Sequence, residues 1–164
     1  TGIFKFSNTS RQTMEIAGFL MEKGIDFPKI IDDSFFAKTY GQAKLHGRAV
    51  LDSVRILDNR CVYTVVTTDE LREYGCTVKA TDGIVDQLRI IEGIEIAFLL
   101  YQTGNPGEYK VSLRTNSAVD VSRIAQSFGG GGHVKAAGCT MTGEPQEIVE
   151  KISGKIREQW EELK

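Results

Sequence analysis

No apolar run in this chain approaches the roughly 20 residues that a membrane-crossing helix requires. The longest, Ile94 to Tyr101, is interrupted by Glu95. The opening residues, Thr1-Gly2-Ile3-Phe4-Lys5-Phe6, hold no basic segment followed by a long apolar one, so no secretory signal is visible and the cytoplasm is the expected location. Cysteine is scarce: Cys61, Cys76 and Cys139 are odd in number and widely spaced, which argues against both a disulfide framework and a zinc site. With only His46 and His133 as histidines, an imidazole-rich metal cage is also excluded. Excess positive charge is missing as well. A formal net charge of -2 and a pI near 5.7 do not suit a protein that coats duplex nucleic acid, because such binding draws on clustered Lys and Arg. A phosphate would be met at one point of this surface, not along a stripe. Internal repeats and low-complexity tracts are absent.

What remains, 41% hydrophobic and 26% charged residues over a length of 164, suits one globular domain with a short appendage. Ser10 is a good N-cap for a helix at 10–23, with Ile16, Ala17, Leu20 and Met21 on one face and Gly24 past its end. A second helical pattern runs from Ser34 to about Leu51, weakened by Gly41 and Gly47. Val54–Leu57 and Cys61–Thr67 flank Asp58-Asn59-Arg60 and read as a hairpin. Asp82 is placed to cap a helix from Gly83 to Glu92, and Ile94–Gln102 reads as a central strand covered on both faces. Tyr109–Thr115 differs: Tyr109, Val111 and Leu113 alternate with Lys110, Ser112 and Arg114, giving one packed and one polar face. Asn105-Pro106-Gly107 supplies the turn before it. Asp120 caps a short helix carrying Val121, Ile124, Ala125 and Phe128, the Ala136–Met141 stretch can form a last strand, and Pro145 opens a helix with Ile148, Ile152, Ile156 and Trp160 at four-residue intervals. The expectation is an α/β fold with a mixed sheet of about five strands flanked by helices.

The strongest local signal is Gly129 to Gly132, followed by His133. Consecutive glycines can take positive φ and bring main-chain N–H groups to a ligand, as in a phosphate nest, with the anion expected around Val134 to Ala137 and His133 and Lys135 adding charge or a donor. A flexible linker is the plain alternative, but linkers carry serines and do not usually join an amphipathic helix to an apolar segment. The run is neither a Walker loop nor a dinucleotide fingerprint. Arg114, at the end of the alternating strand and close in the chain to this run, offers a guanidinium fork matched to phosphate. His46 reads as a helix-surface histidine. Asp32-Asp33 and Asp69-Glu70 read as caps and dipole partners in preference to metal ligands.

Three ordered segments, Val111-Ser112-Leu113-Arg114-Thr115, Asp120-Val121-Ser122-Arg123-Ile124-Ala125 and Phe128-Gly129-Gly130-Gly131-Gly132-His133-Val134-Lys135-Ala136-Ala137-Gly138-Cys139, together resemble the C-terminal DHH-associated domain of the DHH phosphoesterase superfamily. Within it the chain is most similar to the bifunctional oligoribonuclease and 3′,5′-bisphosphate nucleotide phosphatase branch. The resemblance implies that residues 1–9 close an N-terminal catalytic domain, that 10–48 form connector helices, and that 49–164 form the substrate-binding domain. It implies substrate contacts from Arg114, Gly130, Gly131, Gly132 and His133, with Thr115 standing where the family commonly has serine. It also implies manganese, or magnesium, held by Asp and His residues of the N-terminal catalytic domain, with no metal and no catalytic residue in this chain. The implied partners are a nucleotide or short single-stranded oligonucleotide and the chain's own catalytic domain, with a homodimer as a further expectation. Related domains occur in cyclic-dinucleotide phosphodiesterases and, as a tRNA-binding module, in alanyl-tRNA synthetases.

Overall fold

The computed structural model describes residues 2–5 and 8–163. The chain divides into two compact units, one ending at Thr39 and one starting at Tyr40. Of the opening segment, Thr1, Phe6 and Ser7 lie outside the described residues, and Gly2–Lys5 forms a turn closed by the Lys5 N–H donating to the Gly2 carbonyl at 3.2 Å.

The first unit is built from local signals. Helix α1 (Arg11–Glu22) starts at a reciprocal capping box in which Ser10 and Thr13 each satisfy the other's backbone N–H. Its apolar side chains, Ile16, Phe19, Leu20 and Met21 among them, are exposed. Helix α2 (Phe27–Ile31) is capped by Asp26 and runs into a π turn over Asp32–Phe36. The continuous helix expected from Ser34 onward is therefore broken: Ser34 to Phe36 finish the π turn, Ala37 is extended, and helix α3 (Tyr40–Leu51) begins afresh. By its contacts α3 belongs to the second unit, where the connector had been expected to run on to residue 48.

In the second unit a sheet of six strands has the order β1-β2-β3-β4-β6-β5. These are β1 (Val54–Ile56), β2 (Cys61–Val66), β3 (Ile96–Gln102), β4 (Glu108–Thr115), β5 (Gly131–His133) and β6 (Ala136–Thr142). Only β2 and β3 pair in parallel, so the sheet is mixed. The turn joining β1 to β2 places Leu57, Asp58 and Asn59 at positive φ. The sixth strand, β5, is made from the glycine run itself.

Alternation assigns the two faces. On one, Tyr109, Val111 and Leu113 of β4 and Ala137, Cys139 and Met141 of β6 join Phe98 and Leu100 under helices α6 (Val121–Gln126) and α7 (Pro145–Glu162). Ile148, Ile152 and Ile156 of α7 are fully buried there, each contributing about 1.5–3 kcal/mol relative to exposure. On the other, α3, α4 (Thr68–Glu73) and α5 (Ile84–Arg89) cover Val62, Val66, Ala97 and Leu99 of β2 and β3. That cover stops short of the β6 and β5 side of the sheet.

Two local readings change. His46, expected on a helix surface, is 3% exposed and donates from Nε2 to the Ala80 carbonyl at 2.9 Å, tying α3 to the 3-10 turn Val78–Thr81. Asp82 does not cap α5; Gly83 occupies the N-cap at φ 88° without a side-chain bond.

The glycines of the run also differ in kind. Gly129 sits at φ 75° just past α6, its N–H donating to Gln126 and that of Gly130 to Ala125, which together form a Schellman stop. A Cβ on Gly130 would lie 2.2 Å from the Gly138 carbonyl oxygen and 2.6 Å from Cys139 Cβ, whereas one on Gly131 would meet nothing within 4 Å. Gly130→Ala is therefore expected to destabilise by about 1–3 kcal/mol, and Gly131→Ala to stay within roughly 0.5 kcal/mol of the parent. Urea denaturation midpoints of the two variants check this, and equal midpoints would contradict it.

Candidate functional site

The part of the sheet that the helices leave open has a floor set by register. Arg114 pairs with Ala136, Ser112 with Gly138 and Lys110 with Thr140, so these six residues share one face. On β5, His133 pairs with Ala136 and Gly131 with Gly138, which brings both onto the same face. Arg114, Ala136 and His133 thus form one row, with Arg114 and His133 two strand spacings, about 10 Å, apart. The next row is Ser112, Gly138 and Gly131. At the Lys110 end lies a depression of about 370 Å³ lined by Tyr101, Lys110, Ser112, Gly130, Gly138 and Thr140, among others.

Arg114 does not stand alone. Its Nε lies 3.5 Å from Asp86 Oδ1 of α5, and Nη1 donates to the Leu113 carbonyl at 3.0 Å. Asp86 also receives Arg89 Nε at 3.3 Å, and Arg89 Nη1 donates to Asn116 Oδ1 at 2.9 Å. A carboxylate shared by two guanidinium groups leaves net positive charge at this end and limits the directions Arg114 can take. Neither Asp86 nor Arg89 was marked by the sequence as part of a site; the only hint is their three-residue spacing on one helix. Tyr101 was hidden inside a run read as apolar. Burial foremost, and then nearby Asp82, raise its phenol above the ordinary range, so it is a neutral ring and donor near pH 7.

The glycine run is not the nest that was expected. The amides of Gly129 and Gly130 are used by the last turn of α6, and Gly131 to His133 are extended and paired with β6. The stretch from Val134, where an anion was expected, is a hairpin bend whose carbonyls accept: Val121 N–H donates to Val134 and Thr115 N–H to Lys135. Lys135 is also turned elsewhere, its ammonium donating to the Ser117 carbonyl. What the glycines contribute at this face is absence of side chain beside Ser112. Thr115 faces inward, its hydroxyl 3.0 Å from that of Ser117.

Other candidate chemistry falls away. Among the described residues there is no group of three or more His, Cys, Asp or Glu side chains able to hold a metal ion. Of the acidic pairs, Glu70 closes a capping box with Thr67, Asp69 pairs with Arg72, and Asp33 pairs with Lys29. These side chains are engaged in caps and ion pairs within the fold. The three cysteines are free, and burial pushes Cys61 up to about 12 and Cys139 to about 11, so neither offers a thiolate near neutral pH. No helix among the described residues is long and apolar enough to cross a membrane.

The chain is similar to several known proteins, two in sequence and one in fold. It is 29% identical over 160 residues to the bifunctional oligoribonuclease and PAP phosphatase NrnA of Thermus thermophilus, covering 97% of this chain and 47% of that protein. It is 25% identical over 141 residues to the protein of the same name from Bacillus subtilis, covering 86% of this chain and 44% of that one. The chain thus spans less than half the length of these curated relatives. An exopolyphosphatase-related protein from Bacteroides fragilis superposes with a TM-score of 0.86 at 22% identity, over 94% of this chain and 45% of that one, which shows a common fold. The DHHA1 domain model matches residues 58–161. With most of the second unit inside that match, Arg114 and Gly130–His133 included, this chain belongs to the DHHA1 domain family.

Proposed function

We propose that this chain is the substrate-recognition part of a metal-dependent phosphoesterase acting on short oligoribonucleotides or nucleoside 3′,5′-bisphosphates. The observation that carries the reading is the row formed by Arg114 and His133 on the open face, with Asp86 orienting the guanidinium from α5. A phosphate between them would receive the Arg114 fork from one side and the His133 ring from the other; Gly130 and Gly132 let β5 close on β6, and Gly131 leaves room for a sugar or base to lie against the backbone. The names of the relatives, an oligoribonuclease and phosphatase, supply the substrate class.

The hydrolytic step is assigned to residues outside this chain. Activating water and offsetting charge on a leaving oxygen with divalent ions takes clustered carboxylates and imidazoles. One guanidinium, one exposed imidazole and a glycine strand can hold a phosphate but do not supply that set. Manganese or magnesium would be bound by a catalytic domain, and closure of that domain on this one would deliver the held phosphate.

Arg114→Ala is expected to weaken binding of a nucleoside 3′,5′-bisphosphate by about 10–100-fold, the loss of a charge-assisted contact, with the melting temperature little changed because the guanidinium stands at the rim. Asp86→Asn, which frees the guanidinium without removing it, is expected to cost less. Calorimetric titration measures both, and full affinity in Arg114→Ala would remove the site from this face. A separate assay addresses the division of labour: with manganese, the purified chain is expected to show no turnover of a bisphosphate nucleotide or a short RNA. Turnover that chelator abolishes would refute it and return attention to the acidic pairs.

A further inference from the structure

The depression at the Lys110 end of the open face is not used by a phosphate held between Arg114 and His133. Lys110 stands four residues from Arg114 on the same strand and the same face, which separates them by about 13 Å along β4. Side chains on a strand stand roughly perpendicular to the sheet, so the two positive groups do not converge on one anion. Arg114 is further restrained by Asp86 and is only 28% exposed, whereas Lys110 is exposed. Between them the floor is Ser112 and Gly138, a hydroxyl and a bare backbone. Across the sheet from Lys110, paired in register on β3, is the neutral ring of Tyr101, and on the opposite side runs the backbone of Gly129 and Gly130. A trough with a cation at each end, an aromatic ring on one wall and no obstructing side chain on its floor has the parts of a single-strand binding groove: backbone charge contacts plus a stacking platform.

We infer that Lys110 and Tyr101 form a second nucleotide subsite, in which Lys110 contacts a phosphate one or more links along from the phosphate at Arg114 and Tyr101 stacks on the intervening or following base. The inference rests on the proposed reading of the Arg114 end, and deepens it by naming a short single-stranded oligonucleotide, not a mononucleotide, as the ligand that fills the whole trough. The far end also sets a limit. Glu108, one row beyond Lys110, accepts from Thr103 Oγ1 at 2.6 Å and Asn105 Nδ2 at 3.0 Å, and these bonds hold its carboxylate below the usual range. The trough turns negative there, which opposes a further phosphate.

The test compares two probes on the chain: a 5′-phosphorylated RNA trimer and a nucleoside 3′,5′-bisphosphate, with affinities measured by calorimetry or anisotropy over a range of salt. Lys110→Ala is expected to weaken the trimer about tenfold and leave the bisphosphate within about twofold, while the slope of log K against log salt for the trimer becomes shallower by about 0.7. Tyr101→Leu is expected to weaken the trimer with its salt slope unchanged, because stacking releases no counterions. Arg114→Ala separates this inference from the reading beneath it. Should Arg114→Ala weaken both probes while Lys110→Ala weakens neither, or both equally, the second subsite is wrong and the first stands. Should Arg114→Ala weaken neither, both fall together. Lys110 is exposed and makes no core contact, so loss of fold does not confuse the outcome; circular dichroism of each variant verifies that.

Discussion

Because β4 pairs with β6 so that Ser112 lies opposite Gly138 and Arg114 opposite Ala136, Lys110, Ser112 and Arg114 stand on one face and Tyr109, Val111 and Leu113 on the other. A slip of one residue would exchange the sets, burying Lys110 and Arg114 under α7 and exposing Val111 and Leu113. Such a slip is opposed by the packing of Tyr109, Val111 and Leu113 against Ile148, Ile152 and Ile156, all members of one core. The same register brings Val111 within reach of Gly138, where a Cβ would lie 2.7 Å from the Val111 carbonyl oxygen. The position of Arg114 is therefore a consequence of core packing on the reverse side of its own strand. Site geometry and fold stability are here the same constraint seen from two faces.

The edge of the sheet depends on a second close approach. Helix α6 lies on the sealed face, yet the strand that follows it must run beside β6 at the border of the open one. The chain makes that passage in two residues, Gly129 turning out of the helix and Gly130 pressing against the backbone of Gly138 and Cys139. A side chain at Gly130 would push β5 away from β6 and carry His133 with it, whereas one at Gly129 would meet open space and be disfavoured only by the positive φ. The glycine run therefore acts mainly by placing an imidazole opposite a guanidinium, and only at Gly131 by leaving space for a ligand.

Much of this was legible in the sequence where one local rule decided the outcome. The alternation in Tyr109–Thr115 gave both the strand and its polar face, and the isoleucine spacing after Pro145 gave α7 and its buried side. Asp69-Glu70 read as caps and dipole partners, and they stand in the first turn of α4, where Glu70 closes a capping box with Thr67; the strand pattern running on to Thr67 hid the helix itself. What was not legible depended on contacts between distant segments. Glycine richness indicates backbone freedom or close approach without saying which, and only the neighbouring strand shows that Gly130 is needed for approach and Gly131 for neither. His46 looked solvated because its burial comes from the turn at Val78–Thr81, far along the chain. Tyr101 gained its place beside Lys110 through the pairing of β3 with β4, and Asp86 its place beside Arg114 through the packing of α5 on the sheet; no local pattern encodes either.

On the proposed reading, a chain of net charge -2 would have to recognise a polyanion without long-range attraction. Two cations about 13 Å apart on one strand, separated by uncharged Ser112, are more than one Debye length apart at physiological salt, roughly 8 Å. In open solvent each would act independently, and neither would distinguish one phosphate from another. Distinction would have to come from geometry: Asp86 restrains where the Arg114 guanidinium points, and in the inferred subsite the ring of Tyr101 would set where a base lies relative to Lys110. Asp86 reduces the charge available at the Arg114 end, which lowers affinity for any anion, but it also removes the conformational freedom that the arginine would otherwise lose on binding. A site organised this way trades strength for register along the ligand. Such an arrangement would not require the strong basic field of a protein that coats nucleic acid.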